Sequence, residues 1–215
     1  MEVFVTGGTG YLGSPLIAEL VNRGHRVRAL ARTGSERKVP RGATAVAGDP
    51  LRAETFSHAV EGCDTFVQLV GTRKPAPWKG REFRSVDQPS AHASIAAARA
   101  ASVPHFVYLS VAHPAPIMKD YIAVRSECEG RLRASGLAAT VLRPWYVLGP
   151  GHWWPYMLIP LYRLGEAFGP TREGALRLGL VTHAQMVAAL VWAVENPARD
   201  WRVLDVPAIR QPRRS

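Results

Sequence analysis

Residues 2–13 constrain the fold more than any other stretch of the chain. Glu2-Val3-Phe4-Val5-Thr6 is a short apolar run biased towards β-branched side chains, and so reads as a strand. Gly7-Gly8-Thr9-Gly10-Tyr11-Leu12-Gly13 follows at once, and a helical pattern then runs to Arg23. Three of these glycines, Gly7, Gly10 and Gly13, are spaced G-x-x-G-x-x-G. In a strand–turn–helix setting that spacing has a physical reading. The first glycine turns the chain sharply, the second removes a Cβ where a pyrophosphate would approach, and the third lets helix and strand pack closely. The first turn of the helix then offers its N–H groups and positive dipole end to the phosphates.

The rest of the chain alternates in the same way. Strands are expected at residues 2–6, 26–31, 43–47, 64–71, 105–110 and 138–142, with helices at 11–23, 51–61, 82–102 and 117–135 between them. Gly24 and Gly136 stand where helix C-termini need a left-handed residue, and Pro89 either kinks the third helix or marks its start. The strand at 64–71 is nearly continuous in apolar residues, as a strand buried on both faces of a parallel sheet should be. The expected fold class is therefore α/β, a doubly wound parallel sheet (Rossmann fold), over residues 1–150, with a small C-terminal lobe at 151–215. In that lobe, 176–181 and 201–205 read as strands and 184–196 as a helix.

Ligands of such sheets bind beyond the carboxyl ends of the strands. The second strand closes on Arg32 and Thr33, where an acidic residue would select NAD through the ribose 2′-hydroxyl. A guanidinium and hydroxyls there suit a 2′-phosphate, so the expected cofactor is NADP rather than NAD. Asp49 and Pro50 end the third strand, and Asp49 serves equally as a helix cap or as an acceptor for the adenine amino group. Val70, Gly71 and Thr72 close the fourth strand beside the cofactor, with a basic, proline-containing loop over 72–81 as part of the substrate rim. Trp145, Tyr146, Trp153, Trp154, Tyr156, Tyr162 and Phe168 form an aromatic cluster, readable as an apolar substrate pocket, a lobe core or a homodimer face.

The net charge is +10, and it is concentrated at residues 23–41, 73–84 and 210–214. This is either a solvated arginine-rich surface or an attractor of polyanionic ligands. Only Trp78 and Phe83 interleave with the basic residues, so nucleic acid is the weaker partner. No apolar run is long enough to span a membrane, the N-terminus shows no signal peptide, and the two cysteines make neither a disulfide framework nor a metal site. A cytoplasmic location is expected.

Thr6-Gly7-Gly8-Thr9-Gly10-Tyr11-Leu12-Gly13, Gly48-Asp49 and the run from Leu142-Arg143-Pro144 to Gly149-Pro150-Gly151 resemble the short-chain dehydrogenase/reductase superfamily. The match is to its extended and atypical branch of epimerase/dehydratase-like and NmrA-like proteins, and it covers about residues 1–207. The resemblance implies cofactor contacts from Thr6, Gly7, Gly10, Tyr11, Leu12, Gly13, Arg143 and Pro144. It also implies a Tyr-x-x-x-Lys pair with a nearby Ser. Here the pair reads Tyr121 and Arg125, on one face of a helix, with Ser110 as the nearest hydroxyl. Arg keeps the charge that favours a tyrosinate but serves poorly in a proton relay. By register Ala112 stands where the hydroxyl belongs, with His113 beside it.

Three functions follow from this reading. The first is an oxidoreductase that moves hydride to or from a carbonyl or quinone-like small molecule, apolar or aromatic, with Tyr121 as acid/base. The second is a catalytically weak NAD(P)-binding redox sensor or assembly factor. The third is a nucleotide-sugar epimerase or dehydratase, for which the part after Pro150 is short.

Overall fold

A computed structural model describes residues 1–72, 74–149, 174 and 176–212. Seven strands form one parallel sheet: β1 (Glu2–Thr6), β2 (Arg26–Ala31), β3 (Thr44–Ala47), β4 (Thr65–Gln68), β5 (His105–Leu109), β6 (Ala139–Leu142) and β9 (Trp201–Leu204). Their order is β3-β2-β1-β4-β5-β6-β9, which reverses direction between β1 and β4. That reversal is the switch point at which doubly wound sheets open a crevice. Two short strands, β7 (Tyr146–Leu148) and β8 (Leu180–Thr182), pair in parallel as a separate ribbon.

Alternation along each strand sorts the core into two layers. Phe4, Phe66 and Phe106 lie in register across β1, β4 and β5, with ring centroids 5.2 and 5.1 Å apart. They pack with α3 (Gln88–Ala100) and α4 (Lys119–Ala134), whose inward residues include Ala97, Val124 and Leu132. Val3, Val5, Val67 and Val107 point to the other face, where α1 (Gly13–Asn22) and α5 (His183–Glu195) cover them. The C-terminal stretch thus returns to the sheet: β9 is its edge strand, and Met186 and Leu190 of α5 join the core with Leu16 and Leu20.

Most expected elements form, and the departures have local causes. Residues 51–61 do not make a helix but two 3-10 turns, Ala53–Thr55 and Ser57–Ala59. Thr55 Oγ1 accepts from the Asp49 amide at 3.0 Å and donates to Arg52 O at 2.7 Å, and Ser57 Oγ donates to Ala53 O at 2.7 Å. Such side-chain bonds divert the backbone from helical pairing. Asp49 accordingly closes a turn, accepting from the Leu51 amide at 2.9 Å, and caps no helix. The stretch expected as a helix over 82–102 begins at α2 (Gly80–Glu82) and passes through a π-helical turn, Phe83–Asp87, before α3. Pro89 has no N–H to donate back to the preceding turn, which accounts for the widening. Residues 176–177 are helical rather than extended, and the strand expected there starts at Leu180. A short helix, α6 (Val206–Arg210), was not foreseen; Asp205 caps it through the Ala208 amide at 3.2 Å. Among the aromatic cluster only Trp145 and Tyr146 fall within the described residues.

One buried group makes the fold sensitive to acid. His105 is 1% exposed between hydroxyls of the neighbouring strands, Thr65 Oγ1 at 3.4 Å and Thr140 Oγ1 at 3.0 Å. Burial, helped by the Arg202 charge, lowers its pKa from 6.5 to about 4. Between those values the unfolded chain binds the proton and the folded one does not. Stability is therefore full above pH 6.5 and falls as pH drops towards 4, by roughly 3 kcal/mol from this residue. Urea unfolding at pH 7 and pH 4.5 should show that loss in the wild type and a smaller one in His105→Gln; equal losses would refute the assignment.

Candidate functional site

The glycine loop leaves β1 at the switch point. Gly7 has φ +75°, and a Cβ there would come within 2.9 Å of the Leu69 carbonyl carbon, so the loop rides directly on the end of β4. A Cβ at Gly13 would overlap Gly7 O and lie 2.8 Å from Gly8 Cα. That tightness puts the start of α1 against the turn. By contrast, a Cβ at Gly10 would meet only Gly7 O, at 3.0 Å, which leaves its outer side open. Leu12, the N-cap of α1, makes no side-chain capping bond, and the first turn holds no acidic residue. An open backbone loop and an uncapped helix N-terminus fit a pyrophosphate.

Other residues expected around the cofactor gather at the same edge. Thr6 is buried and its Oγ1 lies 3.5 Å from Val67 O. Arg32 and Thr33 are exposed just past β2, next to Gly48-Asp49-Pro50, because Ala31 is in register with Ala47. Tyr11 is held from the far end of the chain. His183 Nε2 lies 2.9 Å from Tyr11 O, and the two rings meet edge to face at 4.5 Å.

The residues of α4 divide into two clusters. Tyr121, Arg125 and Glu129 lie one turn apart on one face of the helix. Arg125 is 3% exposed and reaches under the β4 loop, where Nη2 donates to Asp87 Oδ1 at 2.6 Å and Nη1 to Leu109 O at 2.8 Å. Asp87, wholly buried in the π turn, also accepts from the amide and hydroxyl of Thr72 at 2.9 and 2.6 Å. A Cβ at Gly71 would overlap Arg125 Nη2, so that glycine admits the guanidinium. The Arg125 charge sits 5.2 Å from the Tyr121 ring centroid, and the tilted Phe83 ring packs on Tyr121 at 4.8 Å. Burial raises the Tyr121 pKa; Arg125 pulls it down, and Asp87 adds to the rise. The expected support from the cation is present, but burial outweighs it.

The second cluster surrounds Glu129, which is 5% exposed. Ser110 Oγ donates to its Oε1 at 2.5 Å, Arg143 Nε donates to the same oxygen at 3.1 Å, and Arg143 Nη2 pairs with Oε2. Ser110 and Arg143 are therefore brought together, but on a carboxylate rather than on the glycine loop. Pro144 is buried behind them, its carbonyl accepting from the Ala112 amide at 2.9 Å. Beyond the ends of β6 and β9 lies a cavity of about 330 Å³ lined by Ala112, His113, Arg143, Arg177 and Asp205. Among the described residues no group of His, Cys, Asp and Glu could hold a metal ion.

Sequence reasoning missed Asp87, Glu129 and His183. Glu129 was within reach, as the third polar residue at four-residue spacing after Tyr121 and Arg125. His183 lies in Thr182-His183-Ala184-Gln185, a capping-box pattern that the structure forms in full. Nothing local marks Asp87 as the partner of a residue 38 positions away.

Residues 7–150 match the model of a family described as NAD(P)H-binding. Over 151 residues the chain is 31% identical to a ceramide reductase of Caulobacter vibrioides, a stretch covering 69% of this chain and 47% of that protein. It is 32% identical over 200 residues to a 2-alkyl-3-oxoalkanoate reductase of Stenotrophomonas maltophilia, covering 83% and 58%. The chain thus spans about half the length of the curated relatives it matches. Among solved structures, the Bordetella bronchiseptica enzyme WbmH in complex with NAD+ superposes with a TM-score of 0.69 at 20% identity, over 100% of this chain and 83% of that one.

Proposed function

Since the chain belongs to the NAD(P)H-binding family, among the atypical short-chain dehydrogenase/reductases, we propose that it is an NADP(H)-dependent reductase of an apolar carbonyl or quinone-like compound. The reading is carried by two features at the carboxyl ends of the strands, the open glycine loop after β1 and Tyr121 in the first turn of α4, a half-buried phenol whose pKa is raised. The bound dihydronicotinamide supplies the hydride. Tyr121 supplies the proton: its Oη–H donates to the substrate oxygen as the carbonyl carbon accepts hydride, and solvent then reprotonates the tyrosinate. With its pKa raised, Tyr121 enters the cycle as the phenol, the form that can give the proton reduction requires. Arg125, 5.2 Å from the ring centroid, stabilises the transient tyrosinate through space. The relatives named as reductases of a ceramide and of an alkyl-bearing oxoalkanoate support an apolar substrate.

The preference for NADP rests on Arg32 and Thr33 at the end of β2. A guanidinium on a phosphate makes charge-assisted bonds worth about 1.5–3 kcal/mol, or roughly 10- to 100-fold in affinity. Fluorescence titration should therefore show Arg32→Ala losing NADPH affinity by that factor while NADH affinity stays unchanged. Equal affinity of the wild type for the two nucleotides would overturn the preference. Failure to bind either would overturn the functional reading.

Two observations favour a second reading, a nucleotide-binding sensor or assembly protein without turnover. Both terminal nitrogens of Arg125 are engaged by Asp87 and Leu109, and Ala112 brings no hydroxyl to the site. The two readings part at Tyr121.

A further inference from the structure

Two loops at the carboxyl ends of neighbouring strands carry the two most exposed large apolar side chains among the described residues. Trp78, on the loop after β4, is 84% exposed, and Ile117, on the loop after β5, is 57% exposed. The loops meet: a Cβ at Gly80 would lie 2.7 Å from Asp120 Oδ2, and Phe83 stacks near Tyr121. Trp78 and Ile117 are each within three residues of that contact, and Pro75, Pro77 and Pro116 beside them in sequence are exposed as well. That edge is also basic. Lys74, Lys79, Arg81, Arg84 and Lys119 outnumber its two carboxylates, Asp120 and Glu82, the latter paired with Lys79 at 3.0 Å.

We propose that this edge is a docking surface for an anionic lipid bilayer. An indole and a branched aliphatic chain held clear of the protein, with Lys and Arg around them, match the layered chemistry of a headgroup region. Aromatic and aliphatic groups enter the acyl boundary while cations pair with lipid phosphates. The competing occupants fit less well. A nucleic-acid strand needs successive stacking platforms, and Phe83, the other aromatic of this stretch, is fully buried. A second copy of the chain across a two-fold axis would bring like charges together over an apolar area of two side chains, too little for a stable dimer. The inference is independent of turnover: docking sets where the molecule works, whether it reduces a substrate or only binds the nucleotide. It would also bring the cleft beside Tyr121 to the membrane surface.

The test is co-sedimentation of the full chain with vesicles of phosphatidylcholine alone and of phosphatidylcholine with an equal share of phosphatidylglycerol. The wild type should bind the anionic vesicles at least tenfold more tightly than the neutral ones, and 0.5 M salt should erase the difference. Trp78→Ala and Ile117→Ser should each weaken that binding about tenfold, and Lys74→Glu with Arg81→Glu should abolish the preference for anionic lipid. An NADPH titration of each variant reports the folded nucleotide site separately. The proposal is overturned if anionic vesicles are not bound, if binding survives Trp78→Ala unchanged, if a single-stranded oligonucleotide captures the protein while vesicles do not, or if Trp78→Ala instead converts a dimer to a monomer.

Discussion

Asp87→Ala is expected to lower stability by about 3–5 kcal/mol, the largest effect of any single side chain in the site. The substitution leaves the Arg125 charge 3% exposed with no counter-ion, and stranding a buried charge costs that much. It also frees the Thr72 amide and hydroxyl, which both bond to the same carboxylate oxygen. Arg125→Met removes the cation instead and leaves Asp87 with the two Thr72 donors, so its cost should be smaller. Denaturant unfolding of both single variants and the double variant completes a thermodynamic cycle. The double variant should be more stable than the sum of the single losses implies. A strictly additive result would mean that the ion pair contributes nothing specific.

The second large effect concerns chemistry. Tyr121→Phe should reduce hydride transfer to the preferred carbonyl or quinone acceptor by at least ~100-fold, the usual scale for removing a positioned general acid. NADPH affinity should stay within about twofold, because Tyr121 lies on α4, outside the glycine loop and the α1 N-terminus. Single-turnover oxidation of NADPH separates the two quantities. If the variant reacts as fast as the wild type, or if the wild type oxidises NADPH with no acceptor in a broad screen of carbonyls and quinones, the reductase reading gives way to the binding-only one. The phenol's raised pKa adds a pH signature. The reductive rate should hold through neutral and mildly alkaline pH and fall only when the phenol ionises, above the ordinary tyrosine value of 10.

The parts of this protein that could be read from sequence are those set by short-range patterns. Gly7, Gly10 and Gly13 announced the loop because a turn between strand and helix leaves a local mark. The alternation of Val3, Phe4 and Val5 between two core layers follows from strand periodicity alone. The failures came where side chains compete with the backbone or reach across the chain. Thr55 and Ser57 undo a helix that residues 51–61 otherwise pattern well. The role of Arg125 was open in the sequence because Asp87 meets it only when α3 and α4 pack on the same face of the sheet. Ser110 and Arg143 were both picked out, but the carboxylate that unites them comes from Glu129, on a helix between their strands.

The clasp between His183 and Tyr11 has a consequence for how the molecule is made. Tyr11 belongs to the nucleotide loop, yet its carbonyl and ring are held by the first residue of α5, 172 positions later. The valine face of the sheet, with Val3, Val67 and Val107, is covered by the same helix. A nascent chain that has emerged only as far as residue 150 therefore carries every glycine of the loop but lacks both the clasp and the roof. The support of the loop is completed late in synthesis, when α5 closes over the sheet, and until then the part of the valine face that α1 does not cover stays exposed.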